Sequence, residues 1–290
     1  MDANNGTMNH QYEPPYGDVS ELNTCRIIKD SVGKETLKEI AEYAIDLLET
    51  SVAIYEVNGD YAFGLFSSGW CQFMDAASRR LCQTSDNQEA LSCGKWLCHE
   101  NCWKDSAKAA MQTGRSSDIR CVGGINLFAE PIYADGRIVG AINIGYGDPP
   151  KDRDRLKKLA AQFGVDCREL KEVAASYESR PEFLIDLAKK RLKFWARLIG
   201  EMVEKSWTQQ ALQKSEQRYR NLFLSTNDGI CLHEMIYEQD RPVDYRILDV
   251  NSKYESITGI SRDEAVGVLA RALYGSDEAP YLDVYAKVIK

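Results

Sequence analysis

The segment Ile119–Gly147, IRCVGGINLFAEPIYADGRIVGAINIGYG, limits what this chain can fold into more than any other. Two runs rich in apolar and β-branched residues flank Asp135-Gly136. Asp-Gly between such runs signals a tight hairpin, because a two-residue type I′ turn needs positive φ at both central positions. Both faces of the second run are apolar. Strict alternation would send Ile138, Ile142 and Ile144 one way, and Val139 and Ala141 the other. A strand covered on both sides belongs in the middle of a domain, not at its edge. Gly123-Gly124 predicts a bulge or bend upstream. Such a hairpin is either one wall of a small-molecule pocket or simply core, and the pattern leaves both readings open.

The chain has 290 residues, room for about two domains. Its formal net charge of −8 argues against nonspecific binding to nucleic acid or to an anionic membrane surface. No apolar run approaches the roughly 18 residues that cross a bilayer, and the N-terminus lacks the layout of a signal peptide. These features predict a cytoplasmic protein without direct nucleic-acid or membrane partners. Nine cysteines in such a chain are expected to be mostly reduced thiols, and six of them fall between Cys71 and Cys121. With only three histidines, His10, His99 and His233, histidine-based acid–base chemistry has few places to reside.

Residues 1–22 are polar and aperiodic, which predicts a flexible tail. Helical spacing of Leu37, Ile40, Ala41, Ala44 and Leu48 predicts an amphipathic helix over Lys34–Leu48. Runs 51–57 and 61–66 around Asn58-Gly59 predict a second hairpin like the first. Cys71–Cys82 reads as a helix and 84–92 as a polar loop. Asn101 is expected to cap a helix over Trp103–Thr113 that ends at Gly114. Helices follow at Leu156–Phe163 and, after Asp166 with Glu169, at Cys167–Tyr177. Pro181 opens a longer helix in which Ile185, Ala188, Leu192, Trp195, Ile199 and Met202 step by three and four. That seam either joins two copies of the chain as a homodimer or packs back on its own domain. From about Ser215 a new unit is expected: a helix to Phe223, paired strands 229–237 and 245–251, then short helices, with Ser261 and Glu264 as a capping box. The organisation predicted is a tail (1–22), a first domain (23–178), a helical linker (179–214) and a second domain (215–290). The fold class is α+β: antiparallel sheet flanked by helices, a long helical linker, then a second α+β domain.

Cys93, Cys98, His99 and Cys102 lie within ten residues, and Cys71, Cys82 and Cys121 can approach in the fold. Thiolates with an imidazole form a soft ligand set suited to Zn²⁺ or an iron–sulfur cluster, although C-x4-C-x3-C matches no standard zinc finger. Cys93, Cys98, His99, Cys102 and Cys121 are the metal candidates. Two rivals stand beside this reading: buried cysteine used as a small hydrophobe, and thiol redox sensing, which needs an exposed thiol of low pKa. For an organic ligand the candidates are Trp70, Cys71, Trp103, Cys121, Phe128, Asn143 and Tyr146. The aromatics supply walls, and Asn143 supplies a polar group on an otherwise apolar strand. A buried Asn equally often satisfies local backbone. No G-x-S-x-G, Walker A or H-E-x-x-H motif is present, and a cysteine nucleophile would have only His99 as a base, so no enzymatic activity is expected of this segment.

The C-terminal unit resembles the start of a PAS domain of the S-box type. The resemblance is carried by Glu216, Tyr219, Leu222 and Phe223, then Asn227-Asp228-Gly229-Ile230, Asp249-Val250-Asn251, Thr258-Gly259, and Glu264 with Gly267. The larger first unit resembles the PocR sensory domain over about Leu22–Tyr177. Here the matching features are Ser68-Gly69-Trp70-Cys71, Ser78-Arg79-Arg80-Leu81-Cys82, the run Gly94–Trp103, Cys121-x-Gly123-Gly124-Ile125 with Phe128-Ala129-x-Pro131-Ile132, and Ile138-Val139-Gly140 with Gly145-Tyr146-Gly147. One departure stands out: such domains often carry Cys-His-x-Gly where this chain has Cys121-Val122-Gly123. The resemblance implies a PAS-like domain that senses a small organic molecule, in a prokaryotic signalling protein such as a sensor histidine kinase. The linker has no histidine, so a kinase core would lie outside this segment. The rival is a cysteine-based metal or redox sensor.

Overall fold

The computed structural model describes residues 14–66 and 68–288. It divides into two compact units, residues 1–208 and 209–290. The expected tail falls largely outside the described residues. Its described part is packed: Val19–Leu22 forms a 3₁₀ turn capped by Asp18, and the Tyr16 ring meets Trp96 edge-on at 4.7 Å.

The first unit is built on a five-stranded antiparallel sheet, order β2-β1-β5-β4-β3. Its strands are β1 (Ser51–Glu56), β2 (Tyr61–Phe66), β3 (Ser117–Arg120), β4 (Asn126–Ala134) and β5 (Arg137–Tyr146). The expected central strand is indeed the middle one, β5. At the β4–β5 turn Asp135 and Gly136 have φ of +48° and +69°, the type I′ signature. The alternation expected along β5 is broken at one point. The register passes from Ile132↔Gly140 to Tyr133↔Ile138, so Val139 has no partner. It is a bulge residue, and it joins the same core cluster as Ile142 and Ile144 rather than the opposite one. The β1–β2 hairpin differs from the other in its turn: only Gly59 has positive φ, and the loop is held by Glu56 N–H to Asp60 O and Gly59 N–H to Glu56 O.

One face of the sheet is covered by α1 (Ile27–Val32), α2 (Lys34–Leu48) and the first half of α9 (Glu182–Ser225). Glu56 fixes α1 by accepting the Ile28 and Lys29 N–H groups, both at 2.9 Å, which satisfies two orphan donors of the helix start. The seam residues Ala188, Leu192, Trp195 and Ile199 are buried in this core, with Ile185 and Met202 at its margin. The stripe that also reads as a dimer seam is thus used within one chain.

The opposite face carries α3 (Gly69–Arg80), α4 (Asn87–Ser92), α5 (Leu97–Glu100), a π-helical segment (Asn101–Ala107) and α6 (Lys108–Thr113), with α7 (Arg153–Phe163) and α8 (Cys167–Ser176) outside them. Two expectations are corrected here. Residues 84–92 are not all loop: Asp86 accepts the Glu89 N–H and starts α4. Nor does Asn101 cap a helix. The helix runs through it from Leu97, and its side chain instead accepts the Val122 N–H at 2.8 Å and donates to Asp105.

In the second unit, β6 (Cys231–Glu238) and β7 (Arg241–Val250) pair through a two-residue turn, tighter than the charged loop expected. Gln239 and Asp240 both take positive φ and do without glycine. Short helices α10 (Ser252–Thr258), α11 (Arg262–Ala265), α12 (Ala270–Tyr274) and α13 (Leu282–Val288) follow, and Ser261 and Glu264 form the predicted capping box. Tyr245, Ile247, Val250 and Tyr254 make its small core. The helix predicted separately at 215–223 is continuous with the linker helix as α9. No helix among the described residues is long and apolar enough to cross a membrane.

Candidate functional site

A cavity of about 20 Å³ lies between α3, the α5–π segment and the sheet. It is lined by Ser51, Trp70, Cys71, Met74, Cys98, Cys102, Cys121, Gly123, Ile125 and Leu127. Local chemistry places each thiol. Ser68 caps α3 by accepting the Cys71 N–H at 3.0 Å, so Cys71 sits in the first turn with its Sγ 3.6 Å from the Ser51 hydroxyl. Cys98 and Cys102 are four residues apart on one helix face, where α5 passes into the π segment. Cys121 opens the turn between β3 and β4, closed by Gly124 N–H to Cys121 O and Cys121 N–H to Ile125 O. Its Sγ accepts the Gly123 N–H at 3.3 Å. Trp70 Nε1 donates to the Gly123 carbonyl at 3.0 Å and ties α3 to the same turn.

Burial raises the pKa of all four thiols. Cys98 and Cys102 stand well above the usual thiol range, Cys71 is raised, and Cys121 is pushed up to about 12. Among the described residues, no charged side chain lines the cavity.

Of the residues singled out for an organic ligand, Trp70, Cys71 and Cys121 line this cavity. The others stand elsewhere. Trp103 packs against the Tyr55 ring at 5.4 Å, in a neighbouring cluster with Tyr61 and Ala141. Phe128 and Tyr146 face the other side of the sheet. Lys189 lies 5.3 Å from the Phe128 ring centre and 4.0 Å from that of Tyr146, whose hydroxyl donates to Asp118. Asn143 is on the cavity side, but its amide donates to the Cys102 carbonyl at 3.0 Å and its side chain also bonds the Tyr55 hydroxyl. It holds the π segment against the sheet.

Of the metal candidates, Cys98, Cys102 and Cys121 line the cavity, and Cys93 and His99 do not. Gly94, with φ of +70°, turns the chain between Cys93 and Trp96. Cys93 is exposed and sits in hydrogen-bonding reach of Cys82, both thiols approaching the Ala90 carbonyl, at 3.2 and 3.8 Å. Although desolvation opposes it, backbone N–H donation from Lys95 and Trp96 and the Lys95 charge lower the Cys93 pKa. His99 is buried, with Nδ1 2.8 Å from the Tyr61 hydroxyl, and loss of water drives its pKa down to about 4. Among the described residues, no group of three or more His, Cys, Asp or Glu side chains is placed to hold a single metal ion.

Asp75 is a buried residue that spacing did not single out. It accepts Trp96 Nε1–H at 2.8 Å and the Tyr16 hydroxyl at 2.6 Å. Desolvation outweighs these donors and nearby Arg79, and lifts its pKa to about 6. Two residues from Phe73 and Ala77, Asp75 falls across the helix from the face their spacing marks, so helical period gave no signal for its burial.

Comparison with known proteins bears on both units. The model of the sensory domain found in PocR matches residues 30–207, and a PAS domain model matches residues 217–287. The crystal structure of the E. coli DhaR(N)-DhaL complex aligns at 10% identity and a TM-score of 0.39, covering 83% of this chain and 69% of that one. No curated protein matches the chain.

Proposed function

The chain belongs to the family of the sensory domain found in PocR, followed by a PAS domain, and it is a sensory signalling protein; on that premise we propose that the stimulus is registered at the thiol-lined cavity of the first unit. The observation that carries the reading is the double use of β4. Leu127 lines the cavity, while Phe128 and Ile132, on the other face of the strand, pack in the core shared with α9. The tip of the same hairpin meets α9 directly: the Glu204 carboxylate accepts the Asp135 N–H, and Gly200 lies against the Tyr133 carbonyl. A change of cavity occupancy that shifts β4 therefore reaches α9, which continues to Ser225. Occupancy must favour one arrangement of α9 over another, because an occupant with equal affinity for both shifts nothing. In this proposal the output is a histidine kinase core carried elsewhere. A second copy would dock on the exposed stripe Leu212, Tyr219 and Leu222 of α9.

The lining favours a soft, thiol-bound occupant, since it offers four thiols and, among the described residues, no carboxylate, amide or imidazole. A second reading, a small organic molecule, is favoured by the apolar walls of Trp70, Met74, Ile125 and Leu127. Both share the relay. Filling the cavity by Leu127→Trp in the full chain tests it by amide hydrogen exchange. Protection of residues 195–204 is expected to change while that of 36–46 stays constant. Unchanged exchange along α9 would sink the relay.

A further inference from the structure

Four of the nine cysteines reach one void from separate places in the chain: the start of α3, α5, the π segment and the β3–β4 turn. Cysteine used only as a small hydrophobe closes its packing, whereas here four sulfurs surround a space. A nucleophilic or peroxide-sensing thiol needs a cationic or basic neighbour, and among the described residues no charged side chain lines this cavity. The exposed thiol is Cys93, and it lies outside the cavity. What remains for four thiols around one void is a soft metal centre. Among the described residues no group of three or more His, Cys, Asp or Glu side chains is placed to hold a single ion. A polynuclear cluster spreads its ligands around a core of several atoms and so takes a wider set.

We infer that Cys71, Cys98, Cys102 and Cys121 hold an iron–sulfur cluster of the [4Fe–4S] type in this cavity. The inference rests on the reading of the cavity as the sensing site and names its occupant. Hydrogen bonds suited to cluster sulfur are already in place: Gly123 N–H points at Cys121 Sγ at 3.3 Å, and the Ser51 hydroxyl lies beside Cys71 Sγ at 3.6 Å. Ser51 accepts from the thiol in the unloaded protein and donates to the thiolate in the loaded one. Asn143 pins the Cys102 carbonyl and so fixes the π segment that carries this ligand. Apolar neighbours keep water from the cluster, one of the protein's levers on its potential. Loading is ligand exchange. A preformed cluster arrives on the thiolates of a delivering protein, each delivering thiolate is replaced by one of this chain, and the proton lost by each incoming thiol goes to the departing one. No electron moves.

The test uses the full chain purified without oxygen from iron-replete cells. Iron and acid-labile sulfide are expected in equal amounts, about four of each per chain when the site is full. Cys71→Ser, Cys98→Ser, Cys102→Ser and Cys121→Ser should each lose at least half of both. Cys25→Ser, Cys167→Ser and Cys231→Ser, outside the cavity, should lose none. A measurement on the unsubstituted chain guards against variants that fail to fold: the four cavity thiols should resist alkylation until the iron is chelated, then react once the chain is unfolded, while Cys93 reacts from the start. A chain isolated metal-free, stoichiometric zinc, or iron retained in all four cavity variants would overturn the cluster. If α9 still answered Leu127→Trp in hydrogen exchange, the sensing cavity would stand and only its occupant would be wrong.

Discussion

On the helix-packed face of the first sheet, β1 and β5 present Val52, Ile54, Ile142 and Ile144. On the other face the same strands present Ala53, Tyr55, Ala141 and Asn143. The first set is bulky and apolar, and α2 and α9 fill the space above it with Leu37, Ile40, Leu192 and Ile199. The second is small or polar, and what covers it is a helix widened to π form, held by Asn143 and bordered by a void with four sulfurs. One face is built for close packing. The other gives up packing to leave a lined space. Two faces of one sheet thus divide the labour, since β4 and β5 must serve both at once.

The sharpest way to break this division is at Gly200. A Cβ there would sit 1.8 Å from the Tyr133 carbonyl oxygen. Gly→Ala inside an exposed helix stabilises by up to about 1 kcal/mol. Gly200→Ala should instead destabilise the first unit by roughly 3 kcal/mol, because neither backbone can give way in a close-packed face. Urea unfolding of the full chain would check it, and a stabilised variant would show that α9 is not closely docked on the hairpin.

The cavity side is sharpened through pH. Asp75 titrates at about 6 in the folded chain against 3.8 ordinarily, so the folded state holds its proton more tightly. Its contribution is full below pH 4 and is lost as pH rises to 6. His99 runs the other way: its pKa falls from 6.5 to about 4, so stability rises across that interval. Each ramp amounts to roughly 3 kcal/mol, and the two oppose. The unsubstituted chain should be nearly level between pH 4 and 6.5. Asp75→Asn should leave stability rising with pH, and His99→Gln should leave it falling. Urea midpoints across that range decide; two variants with the same slope would contradict the assignment.

The smallest effect on stability separates the thiols themselves. Cys93, exposed and lowered in pKa, should alkylate at least tenfold faster than Cys82, which is buried and raised to about 11. Cys93→Ser should leave stability within about 0.5 kcal/mol, as for surface positions generally. Mass mapping of a short pulse of labelling gives the order, and equal rates would remove the distinction.

Local signals in the sequence were enough for the Asp135-Gly136 turn, helix α2 to the residue, the capping of α8 and α11, and the central place of β5. Each depends on side-chain period or on a cap within four residues. The bulge at Val139 and the π form of 101–107 escaped, because both answer to what packs across the sheet. Cysteine spacing grouped Cys93 with Cys98 and Cys102 because they are close in sequence. Tertiary structure broke that group at Gly94, kept Cys121 with the other two as expected, and, of the two further cysteines expected to approach, brought in Cys71 and not Cys82. Periodicity, a property of neighbours along the chain, was therefore determined by the sequence alone. Which thiols share a cavity was decided only by α3, the π segment and the β3–β4 turn docking on one sheet face, a matter of packing between residues up to fifty positions apart.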